Sequence, residues 1–521
     1  MQIRREYLRV WLPLAVFILC FALYCGTLAP TITWQHDGYD GGDLITAAYT
    51  LGIPHPTGYP TYMLLGHLIT QLPLGDVAYR MNLLSALCAA LAVALCYATA
   101  VALLEPDGSA RLAALSAALL LATSRIFWSQ AVITEVYALN ALLFCATLYL
   151  ALRGLAHPAG SCDSADHGLW RALLAALAVL YGLSLGNHLT MLFSAPLLLD
   201  VCVVVWQRRV LSVPRWAGLL GLFLLGLSVY AYLPLRAGKQ SLLNWGDPRT
   251  LSGLWWVIGG GIYRQFVLSL PPTLWVQRIL AWIGLLRQQF GLGGAALGLL
   301  GAWWQSRHSV RTFTLLFGTA VLYSVYAIGY NTTDSYVYLL PVYCIYALWI
   351  AQGVQRALMA VARLQPAWRR PLWALACMAL LALPLNALRE NLPAVDLHAD
   401  HTAYDYGTQA LSQVPDRCMV ISASDVHTFT LWYFSRVVMP RHQVAVIDRD
   451  LLGYVWYVAG LRRAYPWLQW PDAPLGSLDA LDRLVQANQS TVPVFWADVD
   501  AESQARYRLT PQGVLFRASA P

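Results

Sequence analysis

The stretch between Trp34 and Tyr62 concentrates side chains that could do chemistry. It contains three aspartates and two histidines among glycines and prolines: Asp37, Asp40, Asp43, His36 and His55. A positioned carboxylate can act as a general base that removes the proton from an attacking hydroxyl group. Because the stretch directly follows the first hydrophobic run of the chain, we interpret it as an active-site loop at a membrane surface.

Other polar side chains stand at the edges of later hydrophobic runs, where they cost free energy and are therefore candidates for function. These further candidates are Tyr59, Glu135, Tyr137, Asn187, His188, Arg236, Lys239 and Asp334. Arginine matches the geometry of a phosphate group, so Arg236, with Lys239 and His188, could hold a departing phosphate. The set therefore suits group transfer from a lipid phosphate to a hydroxyl group.

Single candidates also have explanations that need no chemistry. Aspartate is favoured at helix N-termini, and a long cationic side chain can anchor a helix end at the membrane surface. The alternatives are helix capping for Asp40 and Asp43, pairing with Arg125 for Glu135, anchoring for Arg236, helix packing for His188 and bracing of a turn for His55. The joint pattern is harder to explain in this way than any one residue.

The composition is that of a helical membrane protein. Of the 521 residues, 58% are hydrophobic and 12% are charged, and the mean hydropathy is +0.52. Soluble proteins carry roughly 25% charged residues. The ten cysteines lie mostly in apolar runs without paired spacing, so neither a zinc site nor a disulfide framework is expected. The net charge of +7 comes from arginine clusters between apolar runs and does not indicate nucleic-acid binding.

The elements that must position these side chains are about eleven transmembrane helices, predicted from apolar runs of roughly 20 residues. The runs lie at about 11–29, 81–104, 112–124, 131–152, 172–186, 189–206, 216–234, 291–305, 312–329, 336–353 and 372–388. The positive-inside rule assigns these loops to the cytoplasm, together with the N-terminus: 105–111, 153–171, 207–215, 306–311 and 354–371. All the polar candidates then reach the extracytoplasmic face.

The last part of the chain has ordinary charge and no run long enough to span a membrane. We expect a transmembrane domain at 1–389, with a first extracytoplasmic loop at about 30–80, and a small soluble extracytoplasmic α/β domain at 390–521. Within that second domain the hydrophobic pattern predicts three elements. They are a buried strand at 417–422, an amphipathic helix at 426–438 and a second strand at 444–448.

Six separated motifs make the chain similar to a known family. The first reads D-G-G-D-L-I-T-A-A and then L-G-I-P-H-P-T-G-Y-P, and it resembles the signature G-D-S-G-E-L … L-G-I-x-H-P-P-G-Y-P of the protein O-mannosyltransferase-like family of multi-span membrane proteins. Further matches follow in order at 127–140, 182–188, 232–248, 334–341 and 425–433. The resemblance therefore covers nearly the whole chain.

The resemblance implies a GT-C glycosyltransferase fold and an inverting transfer from a polyprenyl-phosphate-linked sugar. It implies mannose as the sugar and a hydroxyl acceptor, on protein Ser/Thr or on a glycan. Asp40 matches the aspartate of the signature and is the implied general base. Asp43 stands where the family has glutamate, and we assign it as the second catalytic carboxylate. From their types and positions, the residues that we expect to bind substrate are His55, Tyr59, Glu135, Tyr137, Asn187, His188, Arg236, Lys239 and Asp334.

Two other functions stay open: a transporter or flippase for lipid-linked glycans, and a non-catalytic protein that binds them. No cofactor is expected, although the three aspartates could hold Mg²⁺ or Mn²⁺, which prefer oxygen ligands. The expected partners are the lipid-linked sugar, an acceptor protein or glycan and the lipid bilayer, with no nucleic acid. The expected location is a bacterial inner membrane, with the N-terminus cytoplasmic and the C-terminal domain periplasmic.

Overall fold

The structure, a computed structural model, combines a large helical bundle with a smaller mixed sheet. It describes residues 2–155, 164–208, 211–239, 243–471 and 478–519. Two segments that the arginine pattern assigned to the cytoplasm, 156–163 and 209–210, fall outside these described residues.

The helices of the described chain follow one another with short connections. They are α1 Gln2–Gly26, α2 Gly41–Thr50, α3 Pro60–Thr70, α4 Val77–Leu103, α5 Ala110–Ala122, α6 Arg125–Ser129, α7 Val136–Leu155, α8 Ser164–Leu185, α9 Ala195–Gln207, α10 Val213–Leu227, α11 Tyr232–Ala237, α12 Leu251–Ile258, α13 Trp275–His308, α14 Val310–Gly329, α15 Leu340–Ala362, α16 Pro366–Val395, α17 Thr402–Ser412, α18 Asp425–Tyr433, α19 Val455–Ala464, α20 Leu478–Asn488 and α21 Ala501–Arg506.

Within the described residues, eight helical segments are long and apolar enough to cross a membrane, so the expected count of about eleven is not confirmed. They are Val77–Leu103, Val136–Leu155, Gly168–Leu185, Leu189–Gln207, Val213–Ala237, Val310–Gly329, Ser335–Ala362 and Pro366–Val395. Two further expected spans correspond to the shorter apolar helices Trp11–Gly26 and Ala110–Ala122. The span expected at 291–305 is the second part of α13, which bends at Gly291, where φ is 64°.

Helix α15 lies at the centre of the bundle, with 94% of its spanning window buried. It packs most closely on α13, because glycines let the two backbones approach. A Cβ atom at Gly301 would lie 1.8 Å from the Trp349 carbonyl oxygen, and one at Gly353 would lie 1.9 Å from the Leu297 carbonyl oxygen. Small residues at such contacts are a common way to bind helices together in membranes, where lipid gives little hydrophobic driving force.

A five-stranded sheet follows the bundle. Its strands are β1 Cys418–Ser422, β2 Val444–Asp448, β3 Val494–Trp496, β4 Arg508–Gln512 and β5 Leu515–Ser519. They lie in the order β2-β1-β3-β5-β4, with β1 parallel to β2 and β3, and β5 antiparallel to β3 and β4. Both predicted strands are thus confirmed, and α18 begins one residue before the predicted helix. The domain boundary predicted at 389/390 falls inside α16.

The loop that carries the aspartates is itself folded rather than irregular. A short 3₁₀ turn, Gln35–Asp40, leads directly into α2, and the chain then reverses into α3. The reversal is held by backbone pairing, because the Ile53 N–H donates to Leu243 O at 2.8 Å and the Trp245 N–H donates to Ile53 O at 3.2 Å. Residues near 245 therefore support the loop from a distant part of the sequence.

Helix α18 of the sheet unit packs directly on α2. At their crossing, a Cβ atom on Gly42 would lie 2.3 Å from the carbonyl oxygen of Phe429. The atom at that position belongs to the backbone of Phe429 and cannot move aside as a flexible side chain could. A residue larger than glycine therefore forces the two helices apart. Gly41 differs, because a Cβ there would meet Thr134 O only at 3.7 Å, an ordinary contact distance.

We expect Gly42→Ala to destabilise the protein by about 1–3 kcal/mol, the usual effect of overpacking, and to weaken activity because α2 carries Asp43 and directly follows Asp40. The measurements are the thermal unfolding midpoint in detergent and the turnover rate. Gly41→Ala is the matched control, with both values near wild type. Equal effects of the two substitutions would contradict the assigned contact.

Candidate active site

The folded loop opens into a cavity of about 440 Å³. The cavity lies between the loop, the beginning of α7, the residues after α8, the glycine-rich segment after α12 and the beginning of α15. Six predicted site residues line it: Asp40, His55, Tyr59, Tyr137, His188 and Asp334. These residues come from segments separated by up to about three hundred positions, yet they face one space, as expected for a single site.

At the floor of the cavity a histidine lies between two carboxylates. The Nδ1 atom of His55 is 2.8 Å from an Asp43 carboxylate oxygen, and its Nε2 atom is 3.5 Å from an Asp40 carboxylate oxygen. Tyr59 adds a third contact, with its hydroxyl 3.2 Å from His55 Nε2. The Tyr59 hydroxyl also donates to Pro56 O, so it can accept from His55.

These contacts favour a positively charged imidazole. Burial alone would lower the pKa of His55, but the Asp40 charge and the hydrogen bond and charge of Asp43 outweigh it and raise the pKa to about 9. The pKa of Asp40 is raised as well, by removal from water, although the neighbouring His55 opposes the shift. Asp40 keeps 35% of its side chain accessible, so a substrate hydroxyl can reach it.

Asp43 has a different environment from Asp40, because its side chain is fully buried. It accepts hydrogen bonds from the backbone N–H of His55 at 2.9 Å and from the indole N–H of Trp245 at 3.2 Å, besides its contact with His55 Nδ1. It does not line the cavity, and its contact there is through His55, so its expected role as a second catalytic carboxylate stays a prediction. Helix capping explains neither aspartate, since Asp40 makes no side-chain capping bond at the start of α2.

His188 lies on another wall of the cavity and is neutral. Burial and the nearby positive His55 lower the pKa of His188 to about 4. Its Nδ1 atom accepts from the backbone N–H of Thr190 at 3.2 Å, so the ring hydrogen is on Nε2, a donor. The ring also packs against the rings of Tyr59, Tyr137 and Tyr338.

Two predicted residues lie behind the cavity wall. Glu135 is buried, and burial together with the charge of Asp40 raises its pKa well above the usual value. Its Oε2 atom accepts from the Val136 N–H at 3.3 Å, and it forms no ion pair with Arg125 among the described residues. Asn187 is fully buried and donates to Val136 O at 3.3 Å. Both residues therefore contact the start of α7 rather than the open space.

Arg236 and Lys239, the predicted phosphate ligands, do not line the cavity. The guanidinium of Arg236 donates to Leu51 O at 2.6 Å and to Thr50 O at 3.3 Å. Those carbonyls lie at the end of α2, where the helix has no internal donors for them. Arg236 thus anchors a helix end, the simpler of its two explanations, and Lys239 is exposed.

The cavity instead contains an arginine that the sequence did not single out. Arg264 follows three consecutive glycines, lines the cavity and donates through Nε to Gly259 O at 3.1 Å. Asp425, at the first position of α18, lines the cavity as well. Partial removal from water, with Asp40 nearby, raises the pKa of Asp425 to about 7. The glycine-rich segment before Arg264 was the sequence signal that could have identified this arginine. The motif at 425–433 was the signal for Asp425.

Two further aspartates, Asp37 and Asp334, complete the lining of the cavity. Asp37 accepts a short hydrogen bond from the Tyr336 hydroxyl, which fixes it against the end of the cavity where Asp334 lies. Within the described parts of the chain, no three or more His, Cys, Asp or Glu side chains are grouped to hold a metal ion.

Two family models match the chain in order. The Protein O-mannosyl-transferase TMEM260 N-terminal domain matches residues 40–211, and TMEM260-associated domain 2 matches 403–467. The first begins at Asp40, and the second includes α18 with Asp425. Both matched regions therefore contribute side chains to the cavity.

Curated relatives agree with the family models. Protein O-mannosyl-transferase TMEM260 of Mus musculus is 26% identical over 481 residues, which cover 87% of this chain and 65% of the relative. The protein of the same name from Dictyostelium discoideum is 20% identical over 487 residues, covering 85% of this chain and 57% of the relative. The chain thus spans about six-tenths of the length of these relatives.

Solved structures show the same fold. ArnT from Cupriavidus metallidurans in the apo state has a TM-score of 0.60 at 12% identity, with 98% of this chain and 97% of ArnT covered. The same protein bound to undecaprenyl phosphate has a TM-score of 0.58 at 13% identity, with equal coverage. At such low identity the likeness concerns the fold alone. The chain is therefore a multi-pass integral membrane protein that shares its overall fold with ArnT, and residues 40–211 and 403–467 are similar to the domains of protein O-mannosyl-transferase TMEM260.

Proposed function

We propose that the chain is an inverting membrane glycosyltransferase. It transfers a sugar, mannose, from a polyprenyl-phosphate donor to a hydroxyl acceptor, a Ser or Thr of a protein, at the extracytoplasmic face of a bacterial inner membrane. The observation that carries the proposal is the accessible Asp40 carboxylate beside a positively charged His55 in the cavity. The names of the curated relatives support mannosyl transfer, and the undecaprenyl phosphate in the ArnT structure supports a lipid-phosphate donor.

The reaction needs one displacement. The acceptor oxygen attacks the anomeric carbon of the sugar, and the bond from that carbon to the phosphate oxygen breaks. The hydroxyl proton passes to Asp40, whose raised pKa makes it a stronger base than an ordinary aspartate. Polyprenyl phosphate leaves with the electron pair, and the configuration of the anomeric carbon inverts. No covalent sugar–enzyme intermediate forms, so one accessible carboxylate is sufficient.

His55 supports the base in two ways. Its positive charge keeps Asp40 ionised despite burial, since it opposes the upward shift of the Asp40 pKa. Its two ring N–H groups reach toward two different carboxylates, so the ring is fixed between Asp43 and Asp40. A neutral ring has one N–H group and can serve only one of them.

The leaving phosphate requires donors at the other side of the anomeric carbon. Arg264 supplies a guanidinium group on the cavity wall, and His188 supplies a neutral N–H donor there. Arg264 takes the place of the Arg236 and Lys239 pair expected from the sequence, whereas His188 belonged to the expected set. The hydrogen bonds from the charged guanidinium of Arg264 stabilise a phosphate more than a hydrogen bond from a neutral donor does.

Asp40→Asn should lower kcat by about 10²–10⁴-fold, the usual contribution of a general base, while donor binding persists. The measurement is transfer from polyprenyl-phosphate mannose to a Ser/Thr peptide, with donor binding followed separately. Asp37→Asn is the matched control in the same cavity, and it should keep most of the activity, because its carboxylate is held by Tyr336. Full activity of Asp40→Asn would refute the base assignment.

The pH profile of kcat should fall on both sides. On the acid side activity is lost as pH drops through the raised pKa of Asp40. On the alkaline side it is lost as pH rises through about 9, where His55 loses its proton. The His55 contacts also stabilise the fold fully below its usual pKa of 6.5, and this contribution disappears between 6.5 and about 9.

Asp43→Asn removes a charge that raises the pKa of His55, so the alkaline limb should move to lower pH. Asp396→Asn is the control, because it removes the partner of the exposed His398 and should leave the profile in place. An unchanged alkaline limb in Asp43→Asn would show that His55 does not control it.

Arg264→Gln should raise the KM for the donor about 10–100-fold, since a hydrogen bond to a charged group contributes about 1.5–3 kcal/mol. Lys239→Gln removes one positive charge outside the cavity and should leave KM near wild type. Steady-state kinetics with varied donor measure both. The reverse result, a high KM only in Lys239→Gln, would return the phosphate site to the position expected from the sequence.

A further inference from the structure

A second cavity, of about 490 Å³, lies among α1, α4, α5 and α7. Its lining includes the arginines Arg111 and Arg153, the tyrosines Tyr97 and Tyr149, and apolar residues such as Val101. No residue of this cavity belongs to the candidate active site. Its volume falls in the range of about 300–1,000 Å³ that is usual for small-molecule sites.

This second cavity lies at the opposite end of the bundle from the active site. Helix α4 begins at Val77, beside the folded loop, and it contributes Tyr97 and Val101 to the second cavity near its other end. A helix of 27 residues is about 40 Å long, enough to cross the hydrocarbon core of a bilayer. Helix α7 runs the same way, from Tyr137 in the active site to Arg153.

The two arginines have no carboxylate partner among the residues that the structure describes. Arg153 stacks over the Tyr149 ring, with its guanidinium carbon 5.9 Å from the ring centroid. Asp107 also lines the cavity, but its oxygens accept from Ser109, from the Ala110 N–H and from the Gln355 side chain. Two positive charges with a single hydrogen-bonded carboxylate leave the cavity with an excess of positive charge.

We propose that this cavity binds the phosphate headgroup of an anionic phospholipid through Arg111 and Arg153. Guanidinium groups match phosphate oxygens in geometry and charge. Basic pockets between transmembrane helices, at the level where a helix leaves the bilayer, suit lipid headgroups for this reason. The apolar residues of the lining, Val101 among them, are placed to contact the glycerol backbone and the first carbons of the acyl chains. The ligand is therefore a membrane lipid distinct from the donor of the proposed reaction.

The test uses the full chain in detergent, titrated with phosphatidylglycerol, with bound lipid counted by native mass spectrometry. The double variant Arg111→Gln/Arg153→Gln should bind about thirtyfold more weakly, which follows from losing two basic residues at a lipid phosphate. The control Arg369→Gln/Arg370→Gln removes two exposed arginines at the beginning of α16 and should bind like wild type. Circular dichroism confirms that each variant is folded.

Two further ligands separate the sources of phosphate. Phosphatidylcholine should bind more weakly than phosphatidylglycerol because its headgroup has no net charge, and free glycerol 3-phosphate should compete poorly because it lacks acyl chains. If glycerol 3-phosphate competes as strongly as the lipid, the ligand is a soluble phosphate ester and the lipid assignment is overturned. Wild-type affinity of the double variant would overturn the site itself. Transfer activity is not used as a readout, so failure of the proposed reaction leaves this test intact.

Discussion

A fully buried carboxylate, Asp43, organises this molecule. A charge removed from water costs several kcal/mol unless hydrogen bonds replace the lost solvation. Asp43 accepts from the backbone and ring of His55 and from the indole of Trp245, so three donors converge on it. Removing any of these donors leaves buried oxygens without partners. The loop around His55 and the distant segment at Trp245 are therefore held in one arrangement by the same side chain.

The active site depends on two parts of the chain that are far apart in sequence. Asp40 directly precedes helix α2, while α18 of the sheet unit places Asp425 on the same cavity. Helices α2 and α18 cross so closely at Gly42 that a shift of one helix forces a shift of the other. The sheet unit thus contributes a side chain to the candidate site, and both matched family regions contain residues of the cavity.

The polar groups of the bundle separate into two ends with different charge. The end with the active site has carboxylates around one imidazolium and Arg264, whereas the far end has Arg111 and Arg153 with one hydrogen-bonded carboxylate. An acidic cavity suits removal of a proton from a neutral acceptor, and a basic cavity suits an anion. Because the part of α7 from Tyr137 in one cavity to Arg153 in the other is about 24 Å long, several times the Debye length of about 8 Å, direct electrostatic coupling between the two ends is weak.

Much of the site was predictable from residue type and position. Polar side chains at the ends of apolar runs must be accommodated at one membrane surface, and so Asp40, His55, Tyr59 and His188 could be grouped before any contact was known. The family motifs then distinguished Asp40, as the expected general base, from the neighbouring aspartates. The strands at 418–422 and 444–448 were also predictable, because buried strands leave short continuous apolar runs.

The sequence by itself determined a membrane bundle with polar side chains in the first folded loop and at the ends of the apolar runs, because hydrophobic length and the position of charge follow from residue identity. Only the tertiary structure decided which cation faces the cavity. Arg236 and Arg264 are equally charged, but the carbonyls at the end of α2 bind the first, and the chain turn after Gly259 places the second on the cavity wall. That difference arises from contacts between segments distant in sequence, which no local pattern records.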